Sequence, residues 1–71
     1  MADDLLIRLG DRIRKLRKKC GWTQVVMAEK LGLDRSFLAD VERGKRNISI
    51  LNLDIIAKGF KLTLSRFLSR L

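Results

Sequence analysis

Residues 23–44 read TQVVMAEKLGLDRSFLADVERG, and this stretch decides the fold. Thr23 and Asp34 each stand before an apolar-periodic run, where a short side chain can accept from a free amide at a helix start. Gly32 and Gly44 stand behind those runs, where a left-handed residue ends a helix with least strain. The spacing predicts one short helix over 24–30, a glycine turn, and a second helix over 35–43. Ala28 is small enough to let the two helices cross closely, and Met27, Leu31, Leu33, Leu38 and Val41 fill the wedge between them. The spacing Gln24-x3-Ala28-x3-Gly32-x5-Leu38-x2-Val41 is the layout of a DNA-binding helix-turn-helix, residues 24–43.

The second of these helices has two faces. At about 100° per residue, Phe37, Leu38 and Val41 fall on one side. Arg35, Ser36, Ala39 and Arg43 fall on the other, with Asp40 at its edge. That outer face is polar and not bulky, which suits a major groove. Arg35 can pair bidentately with guanine O6 and N7, and Ala39 can touch a thymine methyl. Ser36 is short and serves as donor or acceptor. Asp40 either accepts from cytosine N4 or, the reading preferred here, orients Arg43 or Arg35. Asp34 reads as a cap. Lys45, Arg46 and nearby backbone amides suit phosphate, which positions a protein on DNA without reading its sequence.

Outward from this core, the absence of proline and of strand-like alternation predicts helices throughout. Leu9, Ile13, Leu16 and Cys20 form a helical stripe over about 4–19, with Cys20 packing at the helix end and Gly21 as its stop. Ser49 caps a fourth helix over about 50–60, and Thr63 a fifth over 64–70. The expected architecture is all-α, a compact five-helix bundle in a single domain spanning 1–71.

Composition narrows the function. Sixteen Lys and Arg oppose eight Asp and Glu, a formal charge of +8, and 46% of the residues are hydrophobic. A folded basic module with a polyanionic partner fits these figures, and nucleic acid comes before an anionic membrane. With no histidine, no tyrosine and no glycine-rich phosphate loop, an enzyme is not expected. One cysteine and no histidine leave no set for a zinc site or an internal disulfide, so neither metal nor cofactor is expected. No run approaches the ~18–20 apolar residues that span a bilayer, and no signal-peptide layout is present, so the expected location is cytoplasmic. A core from a chain this short supplies roughly 3–5 kcal/mol, so added support from a second copy is expected.

The pattern Ile13-Arg14-x2-Arg17-x4-Gly21-Trp22-Thr23-Gln24, then Met27-Ala28-x2-Leu31-Gly32, then Val41-Glu42-Arg43-Gly44-Lys45-Arg46-Asn47, Ser49 and Ala57 resembles the lambda-repressor/Cro, or XRE-type, helix-turn-helix family. The resemblance implies a repressor-like domain that binds operator DNA, usually as a dimer on a near-palindrome. It implies base reading at Arg35, Ser36, Ala39 and Asp40. Thr23 and Gln24 at the start of the second helix, with Arg43, Lys45, Arg46 and Asn47, would hold phosphates, Gln24 also bracing the recognition helix. It makes Arg17 and Glu42 a partly buried ion pair joining the first and third helices. Val25 and Val26 depart from the usual polar pair, Ile48 replaces a common proline, and Gly59-Phe60 leaves a flexible glycine near the end of the fourth helix.

Leu51 and Ile55 lie roughly 170° from the core stripe of Leu53, Ile56, Ala57 and Phe60. Together with Leu64, Leu68 and Leu71 they are expected to form a homodimer face within 49–71. The alternative is that Leu51 and Ile55 pack under Leu5, Leu6 and Ile7. A regulator of this size is expected to sense its own concentration, with two dimers on adjacent sites and RNA polymerase as a further partner. Arg46-Asn47-Ile48-Ser49 and Asn52 look most like the controller proteins of restriction–modification systems. Phage or mobile-element repressors, and antitoxins whose partner is a toxin, remain alternatives.

Overall fold

A computed structural model describes residues 2–71, with five helices and no strand among them. They are α1 (Ala2–Lys19), α2 (Gln24–Leu31), α3 (Arg35–Glu42), α4 (Ile50–Gly59) and α5 (Leu64–Leu68). Four of them begin on one device. The side chains of Thr23, Asp34, Ser49 and Thr63 accept from the amides of Val26, Phe37, Asn52 and Arg66 at 3.0–3.1 Å. Each satisfies one of the amides that a helix start leaves without a partner.

The helix ends are less uniform. Gly21, Gly32 and Gly44 take positive φ, as their places behind apolar runs predict. The fourth helix stops differently. Lys61 adopts φ 61°, and its amide and that of Leu62 donate back to the carbonyls of Lys58 and Ala57. Gly59, expected as a flexible glycine near this end, is itself helical. It lies inside α4 with its α-carbon against the side chain of Leu31, so it is a glycine of close packing. The first helix starts earlier than expected, at Ala2, and the fifth is shorter, ending at Leu68.

The core is formed by Leu9, Ile13, Met27, Ala28, Leu38, Val41, Ile56, Ala57 and Phe67, drawn from all five helices. Leu16, Leu33, Leu53 and Leu62 pack around it, and Trp22 stacks on Phe60 with ring centroids 5.4 Å apart. Cys20 corrects the first-helix stripe: it falls in the turn after α1 and is exposed, so it takes no part in the core. The closest backbone approach is between α1 and α3. A Cβ added at Gly10 would stand 2.5 Å from the Val41 carbonyl oxygen and 2.7 Å from the Glu42 carbonyl carbon. Glycine at position 10 lets α1 lie directly against the C-terminal end of α3. No helix among the described residues is long and apolar enough to cross a membrane.

Candidate nucleic-acid interface

Helix α3 buries Leu38 and Val41 against the core and leaves Arg35 and Ser36 in solvent. Ala39 and Asp40 are half-buried beside them. Asp34 is occupied as the α3 cap, its Oδ2 accepting from the Phe37 amide at 3.0 Å. Arg35 forms no ion pair among the described residues, so its guanidinium is available to a base edge. Asp40 is committed elsewhere. Its carboxylate pairs with Arg43 Nη2 and lies 3.7 Å from Arg46 Nη1. Of the partners considered for it, Arg43 is the one in contact, and Arg35 is not.

Arg43, Lys45, Arg46 and Asn47 follow α3 as an exposed segment. Local bonds set its path. The Lys45 amide donates to the Asp40 carbonyl at 2.9 Å, and Gly44 turns at φ 72° where a side chain would strike Ile7. Arg46 lays its guanidinium over Phe37, 5.1 Å from the ring centroid, a cation–π placement that restrains an otherwise loose side chain. At the start of α2, Thr23 Oγ1 is used as cap acceptor for Val26.

The group that holds α3 in place is Glu42, whose side chain is 1% exposed. Arg17 clamps it bidentately, Nε to Oε2 at 2.7 Å and Nη2 to Oε1 at 3.1 Å. Gln24 Nε2 donates to the same Oε1 at 3.1 Å. Arg17 Nη1 reaches on to the Trp22 carbonyl at 2.9 Å. One carboxylate thus ties together α1, the first residue of α2 and the last of α3. Every buried side-chain polar atom among the described residues has a partner. Burying a charge is tolerated on that condition.

Arg14 belongs to the same constellation, and sequence reading gave it no role. Its Nη2 donates to the Glu42 carbonyl at 2.7 Å, and its Nε lies 3.8 Å from Glu42 Oε1. The signal was present: Gly10, Arg14 and Arg17 share one face of a helix at i, i+4 and i+7. A cation at the C-terminal carbonyls of α3 also suits its dipole.

The five residues expected at a dimer face divide. Leu51 is 74% and Ile55 39% exposed, whereas Leu64, Leu68 and Leu71 are half-buried against the chain's own core. Leu51 and Ile55 do not pack under the N-terminal residues. Leu5, Leu6 and Leu9 instead line an apolar groove with Ile48, Leu53, Leu68 and Leu71.

Comparison with known proteins places this arrangement. A helix-turn-helix family model, HTH_3, matches residues 13–67. Control protein C.MunI of a Mycoplasma species is 41% identical over 68 residues, 94% of this chain and 92% of that protein. The restriction–modification controller C.AhdI of Aeromonas hydrophila has a similar structure, with TM-score 0.82, 37% identity, and coverage of 87% of this chain and 94% of that one. A tetramer of the controller C.Esp1396I in complex with its natural 35 base-pair operator matches with TM-score 0.81 and 36% identity, covering 89% and 83% of the two chains. The chain is an all-helical transcriptional regulator that belongs to the XRE-type helix-turn-helix family, close to the restriction–modification controller proteins.

Proposed function

We propose that this protein binds a near-palindromic DNA operator as a homodimer and controls transcription, most closely in the manner of an autoregulating restriction–modification controller. The observation that carries the reading is the free, exposed face of Arg35 and Ser36 on a helix whose far end is fixed by the buried Glu42 carboxylate. Arg35, Ser36 and Ala39 read bases. Asp40 reads none directly and holds Arg43 and Arg46 toward the backbone. Thr23, Gln24, Arg43, Lys45, Arg46 and Asn47 grip phosphates on either side of the groove. The Gln24 amide, half engaged with Glu42, keeps donor and acceptor capacity for a phosphate-side contact.

The dimer forms through Leu51 and Ile55, with Leu64, Leu68 and Leu71 at its edge. Residues 49–71 thereby supply both core and interface, and the chain acts as a single domain. A relative of similar fold sits on its operator as a tetramer, which supports two dimers on adjacent sites here. Such a regulator works in the cytoplasm of a bacterium, and contact with RNA polymerase follows where the operator abuts a promoter. No catalytic step is assigned to the chain.

Selection of bound duplexes from a random pool tests the reading. It should return a two-fold symmetric site with half-site centres one helical turn, about 34–36 Å, apart. Three cations per protomer, Arg43, Lys45 and Arg46, give about six phosphate contacts per dimer. Affinity should then fall by about 10³ between about 50 and 200 mM salt. Arg35→Ala should lose about 1–3 kcal/mol of discrimination at one base pair of each half-site. Lys45→Ala should weaken all duplexes alike. Unchanged specificity in Arg35→Ala would remove α3 from its assigned role.

A further inference from the structure

The charge of this chain is not where the base-reading helix is. Residues 23–47, which contain α2, α3 and the segment after them, hold five basic and four acidic side chains. Residues 1–22 hold seven and three, and residues 48–71 four and one. The structure gathers much of this excess in one place. Arg8, Arg12, Lys15 and Lys19 of α1 and its end face Arg66 and Arg70 of the C-terminal segment across two adjoining clefts of about 420 and 660 Å³. Asp11 is the one acid lining them.

The position of this strip is fixed by the helical register. Gly10, Arg14 and Arg17 face α3. Arg8, Arg12, Lys15 and Lys19 centre about 160° away round the same helix. The strip therefore lies on the far side of α1 from the reading helix. It is also built, not merely crowded. Arg12 donates from Nε to the Phe67 carbonyl at 3.0 Å and stacks over the Phe67 ring, and Arg8 donates to the Leu71 carbonyl at 3.1 Å. These bonds pin the C-terminal segment to α1 and hold the two walls of the cleft at a set distance. Lys19, Arg66 and Arg70 are exposed and enter no ion pair among the described residues.

We infer that this α1/α5 strip is a second, sequence-independent contact for double-stranded DNA, able to hold a duplex other than the one the reading helix engages. From Arg8 to Lys19 the strip runs about 16 Å at 1.5 Å per residue, enough to face about two or three successive phosphates of one strand. Single-stranded nucleic acid is disfavoured because no aromatic face is offered for stacking: Phe67 is fully buried. A protein partner is disfavoured because none of the large exposed hydrophobics lines the cleft, and a protein interface needs such an anchor at its centre. The strip also stays open in a dimer, since Arg66 points away from the Leu64 and Leu68 side of α5 by about 160–200°.

The test is duplex binding by fluorescence anisotropy in four proteins at about 50 mM salt, using a random-sequence duplex of about 30 base pairs as the probe. They are the native chain, a reading-face variant (Arg35→Ala, Lys45→Ala, Arg46→Ala), a strip variant (Lys19→Gln, Arg66→Gln, Arg70→Gln), and the two combined. The reading-face variant should retain duplex binding. Adding the strip substitutions should lower that binding by about tenfold or more and reduce its salt slope by about 2.7. A control that removes two cations elsewhere, Lys58→Gln with Lys61→Gln, should leave it within about twofold. The inference is overturned if the strip substitutions change binding less than about twofold in the reading-face background. It is also overturned if the control lowers binding as much, or if polyglutamate competes as well as duplex per unit charge. The α3 reading is tested separately by specificity for the selected site in Arg35→Ala, so the two failures are distinct. The substituted side chains are exposed, and coincident circular-dichroism melts confirm the fold.

Discussion

Removing the Glu42 carboxylate should be among the most damaging single changes in this chain. The side chain is 1% exposed and its partner Arg17 only 12%. In Glu42→Ala the Arg17 guanidinium keeps its bond to the Trp22 carbonyl but loses both bonds to carboxylate. A buried charge left without its counter-ion costs about 3–5 kcal/mol. A chain of this length has a total stability of about 4–11 kcal/mol at 0.05–0.15 kcal/mol per residue. The variant should therefore lie near its unfolding midpoint in dilute buffer. Arg17→Met should fall in the same range, slightly softened because Gln24 Nε2 and, at 3.8 Å, Arg14 still face the carboxylate. The double variant Arg17→Met with Glu42→Leu should recover to within about 1–2 kcal/mol of native, because an apolar pair of similar volume has no charge to desolvate. Urea unfolding at one fixed protein concentration, followed through the single tryptophan Trp22, reads all three, with a midpoint shift of about 1 M per kcal/mol for a small chain. Single-variant losses under about 1 kcal/mol would refute the reasoning. A double variant as unstable as the worse single would also refute it, since the loss would then come from volume and not from an orphaned charge.

Other perturbations follow from particular contacts. Gly10→Ala should destabilise by about 1–3 kcal/mol, against the usual gain of about 1 for alanine in a helix, because its Cβ meets the Val41 and Glu42 backbone. Gly59→Ala meets only the end of the Leu31 side chain, which can turn aside, so chemical denaturation should place it within about 1 kcal/mol of native. Leu51→Glu with Ile55→Glu should leave the melting of the monomer unchanged while sedimentation equilibrium shows loss of the dimer. A dimer that persists in that variant rejects the α4 face. Lys58 donates a hydrogen bond to the Asp54 carboxylate, and this bond with the nearby charge raises the pKa of Lys58 above the ordinary ammonium value. The pair's contribution is thus present below the unfolded lysine pKa of about 10.4 and is lost as pH climbs through the higher folded value. Asp54→Asn should move the Lys58 titration down when followed by NMR.

Much of this fold could be read in the order of its residues because its boundaries are set by local chemistry. Thr23, Asp34, Ser49 and Thr63 each cap a helix whose start depends on nothing distant. Gly21, Gly32 and Gly44 end segments for equally local reasons. Errors arose where tertiary contact decided. Gly59 reads only as a flexible residue near the end of the fourth helix, yet it is a helical residue packed against Leu31, and the left-handed residue that ends the segment is Lys61, a type with no preference for that region. Cys20 continues the apolar spacing of Leu9, Ile13 and Leu16, but Gly21 ends the helix before that spacing matters. Gly10 shares a helix face with Arg14 and Arg17, but nothing local says why a glycine is needed there, because what it accommodates is the α3 backbone. In the candidate site, the outer face of α3 was legible from angle alone. The engagement of Asp40 with Arg43 rather than Arg35 was not, since i+3 and i−5 neighbours separate only once the end of α3 is known.

The placement of the acids explains why a basic regulator presents a nearly neutral reading segment. A reading helix coated with lysine would bind every duplex strongly and gain little from the correct one, because phosphate attraction carries no sequence information. Here Asp34 is consumed as a cap, Glu42 as the buried tie to Arg17, Gln24 and Arg14, and Asp40 as a brace for Arg43 and Arg46. Each of the three cancels charge near the groove while fixing an angle. The caps and the carboxylate clamp set how α3 sits against α1 and α2, and the Asp40 brace sets where the phosphate-side arginines begin. On the proposed reading, discrimination depends on the orientation of Arg35 and its short neighbours and not on the number of cations. A bidentate clamp with a third donor on the same oxygen fixes the end of α3 in direction as well as in distance, which an apolar contact between the same helices does not specify by hydrogen-bond geometry.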